Sequence, residues 1–117
     1  MQPLSGVRVL DLSRILAGPH ATQTLSDLGA EVLKLEAPWG DDTRSWGPPF
    51  QSGFDGEEVA SYFLSCNRGK RIETVNIKQE QARLRTLVAE FDVVVENFKP
   101  GTFDAVVDDV PEHVIVC

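Results

Sequence analysis

Val7-Arg8-Val9-Leu10-Asp11-Leu12 opens a segment that runs on through Gly18-Pro19 and Gly29 to Glu31-Val32-Leu33-Lys34-Leu35-Glu36. The first run is short, apolar and β-branched, and it follows a glycine, so a strand is expected. Pro19 is expected at the first helical position, where its missing N–H costs nothing. Ala21, Leu25 and Leu28 stand at i, i+4 and i+7 and predict one apolar helical face, and Gly29 closes that helix. Residues 31–36 alternate polar and apolar, which predicts a half-buried strand. Strand, helix and strand within about 30 residues make a βαβ unit, whose crossover is expected to be right-handed.

Further along, the alternation continues. Residues 38–57 carry Pro38, Gly40, Asp41, Asp42, Gly47, Pro48, Pro49, Gly53 and Gly56 and predict a long loop, of the kind that is usually functional or flexible. Val59 to Ser65 is compatible with a short helix. Arg71 to Ile77 reads as a third strand, and Glu80 to Phe91 as an amphipathic helix with Leu84, Leu87, Val88 and Phe91 on one face. Asp92 to Asn97 reads as a fourth strand, apolar enough for burial on both faces. Pro100-Gly101 turns the chain. His113 to Cys117 begins a fifth strand on which the sequence stops, and truncation of a longer domain is the expectation. The class is α/β with a mostly parallel sheet.

The 117 residues suffice for one modest domain with one core. With 42% apolar and 25% charged residues the composition is that of a globular rather than a disordered chain. Asp and Glu outnumber Lys and Arg by 18 to 11, and the net charge of −7 argues against nucleic acid or an anionic membrane as the main partner. A small polyanion stays open, because a local basic patch acts within a screening length of roughly 10 Å. Cys66 and Cys117 form neither a CxxC pair nor a disulfide framework, so no metal site is expected and a reducing, cytoplasmic compartment is. No run approaches the roughly 18 apolar residues of a membrane span, and Met1 to Gly6 is no signal peptide.

In open α/β sheets ligands sit beyond the carboxyl ends of the strands. That nominates Ser13 to Pro19, Glu36 to Asp42 and Glu96 to Gly101. Arg68-Gly69-Lys70-Arg71 is the dense basic cluster; it is either a phosphate partner or a solvated turn. Asp41, Asp42, Asp55, Glu57 and Glu58 read as solvated loop charge. His20 and His113 lack ligand spacing and read as structural. Trp39, Trp46 and Phe50 either line a pocket or anchor the long loop. GxGxxG and GxxxxGK[ST] are both missing, so neither a dinucleotide fingerprint nor a P-loop is supported. Residue chemistry alone leads to an α/β domain and leaves an anionic ligand open.

The run from Pro3 to Pro19, with Asp11-Leu12-Ser13-Arg14-Ile15-Leu16-Ala17-Gly18-Pro19 at its end, resembles the opening of class III CoA-transferases. The resemblance continues in Leu28-Gly29-Ala30 to Glu36, Gly40-Asp41-Asp42-Thr43-Arg44, Asn67 to Arg71, Val75-Asn76-Ile77-Lys78 and Asp92 to Gly101. It implies a Rossmann-like, mostly parallel sheet with flanking helices, forming the N-terminal part of the family's large domain across residues 1–117. It also implies an interlocked homodimer with acyl-CoA and a small carboxylic acid as substrates. Coenzyme A is a substrate there, and no permanently bound cofactor is implied. In such enzymes an Asp carboxylate attacks the acyl-CoA and gives an enzyme anhydride, then an enzyme thioester. That Asp is implied to lie beyond Cys117, so no catalytic residue is expected among these residues. Ile15, Leu16 and Ala17 are implied beside the pantetheine and thioester, Val75 and Lys78 near the adenine end, and Asn97 and Phe98 along the CoA. Arg68, Lys70 and Arg71 become candidates for its phosphates.

Some members have Arg where Ala37 and Ala105 stand here, and formyl-CoA transferase has Gln in place of Leu16. Thr102 to Glu112 is shorter than the family's usual helical segment. The alternatives are a fragment of the related α-methylacyl-CoA racemases and a non-catalytic chain that only binds CoA or a partner. The racemases usually carry Ala-Pro-Gly-Pro where this chain has Leu16-Ala17-Gly18-Pro19, which favours the transferase.

Overall fold

The computed structural model describes residues 1–53 and 55–117, so within the long loop Phe54 lies outside the described residues. In chain order the elements are β1 (Arg8–Asp11), α1 (Ala17–Asp27), β2 (Glu31–Glu36), one 3-10 turn (Asp42–Ser45), β3 (Phe50–Ser52) and β4 (Glu58–Ala60). Then follow α2 (Ser61–Cys66), β5 (Arg71–Thr74), α3 (Gln81–Glu90), β6 (Val93–Val95), α4 (Thr102–Val106) and β7 (Ile115–Val116). Five strands form one parallel sheet in the order β5-β2-β1-β6-β7. β3, inside the long loop, pairs with β4, just after it, as a separate antiparallel hairpin; neither strand is expected from the sequence, and β4 takes the start of the segment read as a short helix, which begins at Ser61 instead.

The two faces of the sheet differ in chemistry. Leu10, Leu12, Leu33, Leu35 and Val94 point to one face and pack against Leu84, Val88 and Phe91 of the α3 region and Phe103 and Val106 of α4. The face expected on α3 is therefore the one it buries. The opposite face carries Val9 and Val32 near the start of the strands, packed with Ala30 and Leu25. Towards the strand ends the same face turns polar, with Asp11, Lys34 and Glu36 all buried.

That polar layer corrects two expectations. β2 is not half-buried: every residue from Val32 to Glu36 is buried, because Lys34 and Glu36 have ion partners within the fold. Helix α1 does not bury Ala21 and Leu28, which are exposed; it buries Pro19, Thr22 and Gln23. Its inner face meets Asp11 and the chain at Ser65 to Arg68, so hydrogen-bonding side chains are needed there. Pro19 stands at the third helical position rather than the first, still within the turn whose N–H groups have no intrahelical acceptor. Gly29 ends the helix as expected: at φ 106° it lets Gly29 N–H reach Ser26 O at 3.0 Å and Ala30 N–H reach Leu25 O at 3.1 Å.

β5 ends at Thr74, short of Ile77, and its four residues are exposed at the sheet edge. In β6 only Val94 is fully buried, and Val93 and Val95 are half-buried. No helix among the described residues is long and apolar enough to cross a membrane.

Candidate functional site

The carboxyl ends of β1, β2 and β5 open into a cleft of about 380 Å³. Leu12, Leu35, Val75, Ile77 and Phe98 supply apolar walls, and Arg14, Asn76, Lys78 and Gln79 supply polar ones. Asn76 shapes the β5 side. Its Oδ1 accepts from Lys78 N–H at 3.2 Å and Gln79 N–H at 3.3 Å, while its own N–H donates to Glu80 at 2.8 Å. This local turn stops β5 and presents Lys78 before α3 begins.

The β1–α1 loop is held residue by residue. Lys34 Nζ donates to Ser13 O at 2.9 Å. Asn97 brackets Arg14, accepting from its N–H at 3.0 Å and donating to its carbonyl at 2.7 Å. Ile15, the one non-glycine with positive φ among the described residues (79°), directs its N–H to Asp41 Oδ2 at 3.4 Å. A left-handed β-branched residue is uncommon and costs energy, so the surroundings must hold it.

Beneath the loop lie two ion pairs whose side chains are wholly sealed from solvent. Lys34 Nζ meets Asp41 Oδ2 at 3.0 Å, and Lys70 Nζ meets Asp11 Oδ2 at 2.9 Å. Lys70 also donates to Pro19 O at 3.0 Å and Asn67 Oδ1 at 2.9 Å. Asp11 accepts from Ser13 N–H at 2.9 Å, from the Ser13 hydroxyl and from Thr22 Oγ1 at 2.6 Å. Burial pushes the Lys70 ammonium below its ordinary range, against the pull of Asp11. Burial also raises the Asp41 carboxyl, but the Thr43 N–H, Lys34 and the Thr43 hydroxyl outweigh it and hold the group below its usual value. Among the described residues no buried side-chain polar atom lacks a hydrogen-bond partner, which is what allows so polar a layer inside a fold.

Gly18 sits where this network leaves no room, since a Cβ there would fall on the Ser13 side chain. Gly18→Ala is expected to destabilise the domain in urea denaturation. Overpacking costs about 1–3 kcal/mol, more than the roughly 1 kcal/mol by which Ala exceeds Gly in a helix. An unchanged or raised midpoint would show that Ser13 moves aside freely.

The structure divides the residues nominated from the sequence. Val75, Lys78 and Phe98 line the cleft. Ile15, Leu16, Ala17 and Asn97 lie at the same end of the sheet but outside its lining. Arg68, Lys70 and Arg71 do not act as a cluster. Lys70 is internal, Arg68 is exposed and pairs with Asp27 at 2.5 Å, and Arg71 is an exposed residue of the edge strand. Asp41 is no solvated loop charge, being 3% exposed and paired. His20 and His113 are both exposed. Of the three loop aromatics, Trp39 lines the cleft, whereas Trp46 stacks edge-on against Tyr62 with ring centroids 5.4 Å apart. Arg14 escaped sequence reasoning as a site residue, although it stands in the first loop that the strand-end rule nominates.

The family model described as CoA-transferase family III matches residues 4–109. The chain belongs to this family. Among its relatives, mouse succinyl-CoA:glutarate CoA-transferase is 48% identical over 126 residues, covering 100% of this chain and 28% of its own. Succinate–glutarate CoA-transferase of Agrobacterium fabrum is 54% identical over 101 residues, 83% of this chain and 25% of its own. A crystal structure of a CAIB/BAIF family protein from Brucella suis superposes with a TM-score of 0.86 at 55% identity, covering 90% of this chain and 28% of that one. This CoA-transferase family III chain thus spans about a quarter of the length of the curated relatives it matches.

Proposed function

We propose that this chain is the CoA-binding segment of an enzyme that moves CoA between carboxylic acids. One observation carries the reading: an apolar-walled cleft at the strand ends holds Arg14 and Lys78, two cations without a carboxylate partner among the described residues, in a chain of net charge −7. The ion pairs engage Arg8, Lys34, Arg44, Arg68, Lys70, Arg83 and Arg85, which leaves Arg14, Arg71, Lys78 and Lys99 free among the described residues. Positive charge left unneutralised beside apolar walls suits a ligand with phosphates at one end and an apolar body. Val75, Phe98 and Lys78 take roles along that ligand, and Ile15, Leu16, Ala17 and Asn97 border it at the β1 end.

The chemistry extends beyond these 117 residues. An Asp carboxylate outside them attacks the acyl-CoA thioester carbonyl and expels CoA as thiolate. The thiolate then returns to the enzyme anhydride, releasing the free acid and leaving an enzyme thioester. The acceptor acid completes the exchange. The reading includes a cytoplasmic enzyme acting as an interlocked homodimer.

Titration calorimetry with coenzyme A is the test. Saturable binding is expected, weakened about tenfold in Lys78→Ala, the loss of one charged hydrogen bond. Arg68→Ala and Arg71→Ala are expected to leave it unchanged. Absence of binding at millimolar coenzyme A, or loss through Arg68 or Arg71 instead, would refute this assignment of the cleft.

A further inference from the structure

We infer that Arg14 is the oxyanion-recognition residue at the β1 end of the cleft, and that Asn97 is a positioning residue acting through it. The inference rests on the reading of the cleft as a ligand site. Arg14 is exposed, lines the cleft and has no carboxylate within ion-pair reach among the described residues. Its backbone is the opposite of free. Asn97, which follows β6, holds both its N–H and its carbonyl. The residues on either side are held by buried charge, Ser13 through Lys34 and Ile15 through Asp41. Three side chains from two other segments thus hold three consecutive residues, and Ile15 is kept at φ 79° in the process.

A surface arginine that serves only solubility needs no such frame. An arginine that must meet oxygens in one orientation does, because its planar fork gains most when little freedom is lost on binding. The cleft also has two ends. Lys78 follows β5, Arg14 follows β1, and β2 lies between them in the sheet, so the two cations face different parts of a bound molecule. The chemistry Arg14 recognises is a pair of oxygens on a phosphate or a carboxylate. Those oxygens belong either to a CoA phosphate or to the acid itself.

The experiment follows the backbone NMR signals of the cleft residues Leu12, Val75, Asn76 and Phe98 while coenzyme A, pyrophosphate and succinate are each titrated into wild type, Arg14→Met, Asn97→Ala and the double variant. Arg14→Met is expected to weaken at least one of the three probes about tenfold. Loss for coenzyme A and pyrophosphate identifies a phosphate, and loss for succinate alone identifies a carboxylate. Equal affinity of wild type and Arg14→Met for all three overturns the inference. If coenzyme A fails to bind wild type while pyrophosphate or succinate binds through Arg14, the CoA reading falls and the role of Arg14 stands. Asn97 is exposed, so Asn97→Ala is expected to keep the thermal midpoint. It should weaken the same probe about threefold alone and add nothing in the Arg14→Met background, as coupled residues do. Fold-changes that multiply would show that Asn97 touches the ligand itself and would overturn its positioning role.

Discussion

Asp11→Ala will remove about 3–5 kcal/mol of stability, the cost of leaving a buried charge without its partner. A domain of this kind holds about 5–15 kcal/mol in total, so the variant will be partly unfolded at 37 °C or expressed insoluble. The size follows from what Asp11 holds. Its carboxylate takes Lys70, the Ser13 N–H and hydroxyl, and the Thr22 hydroxyl, in a site with no solvent. Truncation strands all of those donors at once. Lys70→Met should cost less, although it breaks the same ion pair, because Asp11 keeps its three other donors and the methylene stem of Met fills the space. Arg68→Ala, two residues away, should leave the urea midpoint where it is, since Arg68 and Asp27 stand in solvent. Three variants within one stretch of basic sequence and its partner are thereby ranked. Equal effects of Lys70→Met and Arg68→Ala would contradict the burial on which the ranking depends.

This ranking also shows where sequence reasoning runs out. β2 and α3 were legible because apolar residues recur at periods of two and 3.6, β1 and β6 because they are short apolar runs, and the end of α1 because Gly29 marks a helix end that a left-handed residue makes. The family was legible because blocks from Pro3 to Gly101 keep their order. The polar layer was not. Lys34 alternates with Leu33 and Leu35 as a solvent-facing strand residue would, and its partner Asp41 sits among glycines and prolines as a turn residue would. Periodicity reports which residues share a face, not whether that face meets water. Thr22 and Gln23 hide the inner face of α1 for the same reason. Arg68-Gly69-Lys70-Arg71 looks like one basic patch because adjacency in sequence is mistaken for a shared environment: Lys70 is buried on Asp11, Arg68 pairs with Asp27 at the surface, and Arg71 stands exposed on the edge strand. Arg14 carries no signal of its own. Its distinction lies in the side chain of Asn97, distant in sequence, and in the lack of a counter-ion.

Asp41→Asn will destabilise the domain about as much as Asp11→Ala at neutral pH, again about 3–5 kcal/mol, and the loss will shrink in acid. Asp41 divides its oxygens: Oδ1 accepts from the Thr43 N–H at 3.0 Å and hydroxyl at 2.8 Å, and Oδ2 from Lys34 at 3.0 Å and Ile15 N–H at 3.4 Å. An amide has one acceptor. Whichever way it turns, an NH2 group faces donors, either those of Thr43 or the Lys34 ammonium. The pH dependence follows from the depressed pKa of Asp41, which lies below its ordinary value of 3.8 in the folded state. Between the folded pKa and 3.8 the unfolded chain binds more protons than the folded one. Stability from this carboxylate is therefore complete above that window and declines as pH falls through it. Asn cannot titrate, so the variant lacks this component at every pH. Urea denaturation of both proteins from pH 7 down to about pH 3 should show their free-energy difference constant at first and then narrowing below about pH 4, the ordinary carboxylate range. A difference that stays constant down to pH 3 would mean that Asp41 is not held as a carboxylate by Lys34 and Thr43.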